Sequence, residues 1–295
     1  MEFLTIDTWP PASLTDYRPQ LETGNVLYFP TTPFSFPAES QDFLRSLDFA
    51  GKAIHKNIAY RPASDRVTGF EGTPEQQQHL LAVMRDYSRT VIAFTASLLP
   101  EYAAAWKLDY ASFRPLEESS RDLPVNKRND LLHTDAFPSR PTHGDLILRV
   151  FTNIHPSKTR NWITTDPFPA LAEKYARAAG LDRIAANTWS EPAARVLHSI
   201  GLPVVPRSPY DRFMLHFHEY LKRNTDFQQN CPKYRFDFPP GSTWLTFTDV
   251  LPHSVHSGQH ALEQTFIISK SSLSRAENAP VRILERLYGK PLVAA

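Results

Sequence analysis

Three features of the sequence predict an α+β fold in which helices cover a β core. A long amphipathic helix falls in the first hundred residues, strand-like segments begin after about residue 110, and helical segments are interleaved between those strands. Residues 1–70 are mixed, with proline-rich turns such as Trp9-Pro10-Pro11 and Thr31-Thr32-Pro33, and Asp42-Phe43-Leu44-Arg45 reads as a short helix. Thr73-Pro74-Glu75 is a helix start, threonine as N-cap and proline in the first position. From Gln76 to about Leu99, residues Leu80, Leu81, Met84, Tyr87, Val91, Ile92 and Phe94 recur at helical spacing and predict one long helix that buries one face.

The strands follow. Ile147 to Ile154 is rich in β-branched and large apolar residues, Thr243 to Asp249 alternates more cleanly, and Gln264 to Ile268 is a third strand. Phe168 to about Gly180, Glu191 to Ile200, and Tyr210 to Asn224 read as helices, the last with Phe213, Phe217 and Leu221 on one side. Pro280 to Leu287 starts a final helix with proline in its first turn. No internal repeat or boundary interrupts the chain, so it reads as a single domain, 1–295. Its parts are a mostly helical N-terminal cover (1–109), a β core with a helical insertion (110–275) and a C-terminal helix (276–295).

Composition narrows the function. The 295 residues hold 32 basic and 31 acidic side chains, a net charge of +1, which gives no global pull toward nucleic acid but leaves room for a local basic groove. Cys231 is the one cysteine, so intrachain disulfides and multi-thiolate zinc sites are excluded. Asn230-Cys231-Pro232 offers that thiol no activating context, although His216 and His218 are near in sequence. The 26 prolines are scattered, which predicts many loops rather than a disordered linker. Met1-Glu2-Phe3-Leu4-Thr5 lacks the pattern of a signal peptide, and the longest apolar stretch, near Val91 to Leu99, is too short to span a bilayer. The expectation is a soluble, intracellular chain. No GxGxxG fingerprint, GxxxxGK[ST] loop or GxSxG elbow is present.

His133-Thr134-Asp135 carries the chemistry. On an extended strand, side chains two apart point to one face, so this HxD tripeptide projects an imidazole and a carboxylate into the same space. One further histidine completes a 2-His-1-carboxylate facial triad, which holds Fe(II) and leaves positions open for co-substrate and oxygen. An isolated HxD arises often by chance, so the third ligand matters. Gly241 to His253 reads as a turn, a strand and a histidine at the strand's end, where a double-stranded β-helix (jelly roll) presents its distal ligand. His256 and His260 follow closely; spacing leaves His253 and His256 in competition, and the strand end favours His253. The plainer alternative is loop histidines with no ligand role. His216 and His218, two apart on a helix, point to different faces and are poor joint ligands.

Several longer segments resemble the Kdo hydroxylase family. They are Leu132-His133-Thr134-Asp135-Ala136-Phe137-Pro138-Ser139, Ile147 to Phe151, Tyr210 to Leu215, Phe238 to Trp244, and Ser257-Gly258-Gln259 with Leu262 to Phe266. The resemblance covers about residues 110 to 290. Kdo is 3-deoxy-D-manno-oct-2-ulosonic acid, the sugar acid that joins lipid A to the core of lipopolysaccharide. The resemblance implies a jelly-roll core flanked by helices and an Fe(II)/2-oxoglutarate-dependent dioxygenase that hydroxylates Kdo at C3, releasing succinate and CO2. The family's proline-histidine before a serine-glycine-glutamine turn implies His253 as the distal ligand, with His133 and Asp135 completing the metal set.

The far carboxylate of 2-oxoglutarate needs a fixed cation, and arginine offers a planar fork that matches it. Many members of this superfamily place an arginine about ten residues after the distal histidine; here that region is Glu263-Gln264-Thr265. Arg149, which interrupts an apolar strand, is the first candidate, and Arg114 the second. A structural salt bridge is the competing explanation for Arg149. Asn153 and Trp162 are candidates to line the cofactor pocket. Arg121, Lys127, Arg128 and Arg140 flank the HxD segment and are placed to meet an anionic substrate, although a solvated loop accounts for most of them; His143 and His155 lie near in sequence. The implied partner is a small-molecule or lipid-linked sugar, without nucleic acid, in the cytoplasm and with peripheral contact to the inner membrane as a further option. Three other readings stay open: the same chemistry on a free amino acid or other small metabolite, a non-catalytic sugar-acid-binding protein, and a zinc hydrolase on the same ligands.

Overall fold

A computed structural model describes residues 2–11, 15–47, 57–120, 123–187 and 202–293, with positions 194, 197 and 199 between the last two stretches. Its strands in chain order are β1 (Phe3–Thr5), β2 (Val26–Phe29), β3 (Ile58–Arg61), β4 (Arg66–Thr68), β5 (Lys107–Arg114), β6 (Leu146–Asn153), β7 (Arg160–Thr164), β8 (Tyr234–Phe238), β9 (Thr243–Phe247), β10 (His253–Ser257) and β11 (Ala261–Ile268). The larger sheet runs β1-β2-β9-β6-β11-β5-β3-β4 and the smaller β10-β7-β8. Every pairing is antiparallel except β1 with β2. The sheets face each other across Val26, Phe151, Trp162, Phe238, Trp244, Leu251 and Val255, which form the inner core of a jelly roll.

The helices are α1 (Arg18–Glu22), α2 (Ala38–Ser46), α3 (Pro74–Leu98), α4 (Pro100–Ala103), α5 (Phe168–Tyr175), α6 (Leu181–Ala186), α7 (Pro209–Arg223), α8 (Thr225–Asn230) and α9 (Pro280–Tyr288). Helix α3 starts where Thr73 and Gln76 form a capping box, each side chain accepting from the other's backbone N–H. It buries Leu80, Met84, Tyr87, Val91, Phe94 and Leu98, as the periodicity predicts, while Leu81 and Ile92 are only partly buried. That stripe lies against the outer face of the larger sheet, where the Ser88 hydroxyl donates to Gln264 Oε1 at 2.7 Å.

Strand alternation then decides which residues face the site. On β6, Leu148 and Val150 join the core under the helices, whereas Arg149 and Phe151 point between the sheets. On β5, Ala111 and Phe113 point outward to the helices, and Tyr110, Ser112 and Arg114 point inward. On β11, Leu262 is outward and Glu263 inward. An apolar outer face and a mixed inner face therefore share each strand.

Several elements depart from expectation. Residues 1–109, read as mostly helical, also supply β1 to β4. Each has three or four residues, too few to show a period, and exists because a sheet edge is there to pair with. The helix from Phe168 ends at Tyr175, and Gly180, at φ 84°, begins α6 rather than closing α5. The helix expected over Glu191 to Ile200 lies largely outside the described residues. The strand expected through Asp249 stops at Phe247, and β7, β8 and β10, the whole smaller sheet, went unread.

Candidate active site

The HxD segment is not a strand. His133 makes one isolated antiparallel bridge with His253, and the chain on either side is irregular. It is nonetheless fixed at every residue. The Leu132 N–H donates to Gln228 Oε1 at 3.0 Å, and Gln228 Nε2 donates back to the Leu132 carbonyl at 2.9 Å. The His133 and His253 main chains bond each other, His218 Nδ1 bonds the Thr134 carbonyl at 2.7 Å, and the Asp135 N–H donates to the Thr248 carbonyl at 2.9 Å. Helices α7 and α8 thus supply the partners that a neighbouring strand would otherwise provide. His253 does not close β9, as expected; a turn intervenes and His253 opens β10.

His133, Asp135 and His253 each offer a ligand atom within 4.8 Å of the others. All three are buried. His133 Nδ1 lies 2.7 Å from the Leu131 carbonyl and His253 Nδ1 3.0 Å from the Leu251 carbonyl. A carbonyl only accepts, so both Nδ1 atoms carry the proton and both Nε2 lone pairs are left for a metal. Burial lowers the pKa of both imidazoles, which keeps them neutral and ligating. Burial alone raises the pKa of Asp135, but its charged surroundings, Arg149 foremost, outweigh it and hold the carboxyl far below the usual range. Asp135 Oδ2 is buried without a hydrogen-bond partner. A buried anionic oxygen without a hydrogen bond, with only the long Arg149 ion pair at 3.4 Å, beside two imidazole nitrogens with free lone pairs fits a divalent cation. His256, the competing ligand, is exposed at the bulge of β10, between the paired residues Val255 and Ser257. The structure therefore gathers His253 and leaves His256 out.

The triad opens onto a cavity of about 700 Å³. Arg114, Arg149 and Trp162, three of the residues considered for the co-substrate, line it. Arg149 stands 3.4 Å from Asp135 and 3.5 Å from Glu263, and its Nε has no hydrogen-bond partner. Arg114 is more tightly committed: two of its N–H groups reach one Glu263 oxygen at 3.0 and 2.8 Å, and Glu118 is 3.6 Å away. Trp162 stacks on His253 with ring centroids 4.9 Å apart and planes 18° apart, and its indole N–H has no partner. Asn153 does not reach the cavity. Its Nδ2 donates to the Lys158 and Phe238 carbonyls and its Oδ1 accepts from the His155 N–H, so it fastens loops behind the site.

Several cavity residues are not marked by the sequence, Arg160, His218 and Lys222 foremost among them. Arg160 on β7 is buried, donates to the Gly258 carbonyl at 3.1 Å, and lies 3.6 Å from Glu118; burial pushes its pKa down to about 10. Gly258 is required there, because at φ 130° a Cβ would lie 2.7 Å from Arg160 Cγ. The signal for Arg160 was a charge two residues from Trp162 on a strand that had not been read. His218 and Lys222 come from α7, four residues apart and so on one helix face. His216, two residues before His218, is exposed, so the two lie on different helix faces as their spacing predicts, and the docking of α7 turns His218 inward.

Of the expected substrate residues, Lys127 and Arg140 line the cavity. Arg140 is held over Tyr110 and Phe137, at 4.1 and 4.5 Å from their ring centroids, and pairs with Asp109 at 3.0 Å. Arg128 pairs instead with Asp130, His143 faces Asp211, and His155 accepts from the Ser157 and Lys158 N–H groups away from the cavity. Arg121 is outside the described residues. No helix among the described residues is long and apolar enough to cross a membrane.

A jelly roll whose inner face presents two neutral imidazoles and one bare carboxylate beside a cationic cavity defines the facial-triad class of metal-dependent oxygenases. The chain belongs to the 3-deoxy-D-manno-oct-2-ulosonic acid (Kdo) hydroxylase family, whose model matches residues 8–291. It is similar to solved structures of the Kdo hydroxylase KdoO, a non-heme Fe(II) α-ketoglutarate-dependent dioxygenase. The cobalt(II) complex is 34% identical with a TM-score of 0.85, covering 99% of this chain and 98% of that one. The complex with α-ketoglutarate and Fe(III) is 34% identical with a TM-score of 0.84 and the same coverage, and the apo structure matches with a TM-score of 0.85. No curated protein sequence matches the chain.

Proposed function

We propose that this protein hydroxylates the Kdo sugar of lipopolysaccharide, using Fe(II) and 2-oxoglutarate and releasing succinate and CO2. The observation that carries this is the set of His133, Asp135 and His253, with both Nε2 atoms and Asp135 Oδ2 engaged in no hydrogen bond. Bound iron with 2-oxoglutarate and oxygen supplies the hydroxylation of an unactivated C–H bond. The chain's own residues bind, orient and exclude water. His133, Asp135 and His253 hold the metal, and Trp162 braces the His253 ring. Arg149 receives the far carboxylate of 2-oxoglutarate, because its existing ion pairs are long and its Nε makes no hydrogen bond. The unpartnered Trp162 N–H, on the smaller sheet opposite, is a second donor lining the same cavity.

The mouth of the cavity carries Arg61, Lys127 and Arg140, which suits a sugar still attached to a phosphorylated lipid and so a cytoplasmic enzyme working at the inner-membrane surface. A free amino acid as substrate is not favoured, because the family match runs over residues 8–291. The complete ligand set disfavours a non-catalytic binding protein.

The test is succinate formation by the Fe(II)-loaded protein with 2-oxoglutarate and oxygen, with and without Kdo-lipid A, followed by mass spectrometry of the sugar. Succinate coupled to a product heavier by one oxygen atom supports the reading. Succinate without that product moves the chemistry to another substrate, and none at all in either condition rejects the reading.

A further inference from the structure

One wall of the cavity is unaccounted for. Arg114, Arg149 and Arg160 come from strands, and each lies within ion-pair distance of a carboxylate: Glu263 and Glu118 for Arg114, Asp135 and Glu263 for Arg149, Glu118 for Arg160. Lys222 comes from α7, outside the barrel, and is matched by none. It is 4% exposed, yet its Nζ reaches one acceptor, the Asn126 carbonyl, at 3.4 Å. The carboxylates whose charge reaches it, Asp135, Asp130 and Glu219, act at longer range and none forms an ion pair with it among the described residues. Burial pushes its pKa down to about 8, so the amine remains a cation at neutral pH.

A buried ammonium without a counter-ion costs stability, and such a group aimed into a cavity is a feature of ligand sites. Its position selects the ligand. His218, one helical turn before it, stands edge-to-face on His133 with ring centroids 4.8 Å apart, so this face of α7 borders the metal ligands directly. With Nδ1 donating to the Thr134 carbonyl, His218 presents a bare Nε2 that accepts a hydroxyl proton. An ammonium and a hydroxyl acceptor side by side match a polyhydroxylated acid. The 2-oxoglutarate carboxylate has its own cation on the sheet wall.

We propose that Lys222 binds the carboxylate of the sugar acid and so fixes which carbon of the ring faces the metal. This rests on the Kdo hydroxylase reading above and deepens it.

The experiment measures equilibrium binding of a simple Kdo glycoside and of its carboxyl methyl ester to protein loaded with Co(II) and 2-oxoglutarate, by calorimetry and without turnover. The wild type, Lys222→Met and Lys222→Arg are compared, together with their Tm and their affinity for 2-oxoglutarate. The wild type should bind the acid at least tenfold more tightly than the ester. Lys222→Met should lose that preference, keep its 2-oxoglutarate affinity and show an unchanged or higher Tm, since an unpaired buried charge has been removed. Lys222→Arg should keep part of the preference. A wild type that does not distinguish acid from ester, or that binds neither, overturns the proposal. So does a Lys222→Met variant that still prefers the acid, one that loses 2-oxoglutarate instead, or one whose Tm falls. Failure of the underlying function reading appears separately, as a wild type that gives no coupled sugar oxidation even where acid and ester are distinguished.

Discussion

The main chains of His133 and His253 hydrogen-bond each other in both directions, at 3.1 and 2.9 Å, so the two imidazoles of the candidate metal site spring from one β-bridge. The separation of two metal ligands far apart in sequence is thereby set by backbone geometry, and side-chain truncation leaves that geometry in place. His133→Ala, Asp135→Ala and His253→Ala are each expected to abolish metal binding and turnover while the fold is kept. His256→Ala should bind metal as the wild type does, because its side chain is exposed at the bulge of β10 and is not among the clustered ligands. Titration with Co(II), followed by its visible absorption, measures this. Loss of the cobalt signal in His256→Ala with retention in His253→Ala would show that the distal ligand had been misassigned.

Arg149 is the residue on which 2-oxoglutarate affinity should depend. A hydrogen bond to a charged group contributes roughly 1.5–3 kcal/mol, which corresponds to a change of about ten- to hundredfold. Arg149→Ala should raise the KM for 2-oxoglutarate by roughly that factor and alter the KM for the sugar much less. Steady-state kinetics at saturating iron separates the two. An unchanged 2-oxoglutarate KM would move the carboxylate site to another cation of the sheet wall.

Arg114 should behave differently, although it stands two strands away on the same inner face. It is the closest partner of Glu263, whose carboxyl is buried; burial raises that pKa, and Arg114 and Arg149 together more than offset the rise. Removing one partner of a buried pair leaves an uncompensated charge and costs about 3–5 kcal/mol. Arg114→Ala should therefore lower the urea midpoint markedly, and Arg114→Ala/Glu263→Gln should recover much of the loss. If instead Arg114→Ala is as stable as the wild type but needs far more 2-oxoglutarate, the roles of Arg114 and Arg149 are exchanged.

What could be read in advance follows from the length of each signal. Helix α3 was legible because its capping box and many turns repeat one period, and β6 because Leu146 to Phe151 is an apolar run broken only by Arg149. The metal set was legible because His133 and Asp135 stand two apart in sequence, but strand alternation is not what brings them together. The pair faces one space because α7, α8 and β10 clamp an irregular loop, not because it lies on a strand. The smaller sheet was illegible because β7 and β10 interleave polar residues that pair across the sheet, such as Asn161 and Ser257, with inward ones. His218 and Lys222 were missed for a related reason. Their inward direction depends on where α7 docks, and docking is set by Asp211, which caps the helix and also accepts the Thr142 and His143 N–H groups. No local pattern encodes that contact.

Asp249 gives the fold a pH dependence of its own. It lies in the turn after β9, 1% exposed, with Oδ1 accepting the Ile147 N–H at 3.0 Å and Oδ2 without a partner. Burial pushes its pKa up to about 7. A carboxyl whose folded pKa exceeds its unfolded value contributes stability that is complete below the unfolded pKa and is lost as pH rises through the folded one. The window therefore runs from about pH 4 to about pH 7. Asp249→Asn keeps an oxygen acceptor for Ile147 and removes the ionisation, while every other titrating group is common to both proteins and cancels. Between pH 5 and pH 8 the wild type should lose about 2–3 kcal/mol more than Asp249→Asn, since each pKa unit corresponds to about 1.4 kcal/mol. Urea unfolding of metal-free protein at the two pH values measures the difference. A constant offset between the proteins would report only the amide's unmet N–H and would mean that Asp249 is ionised in the folded state at both pH values.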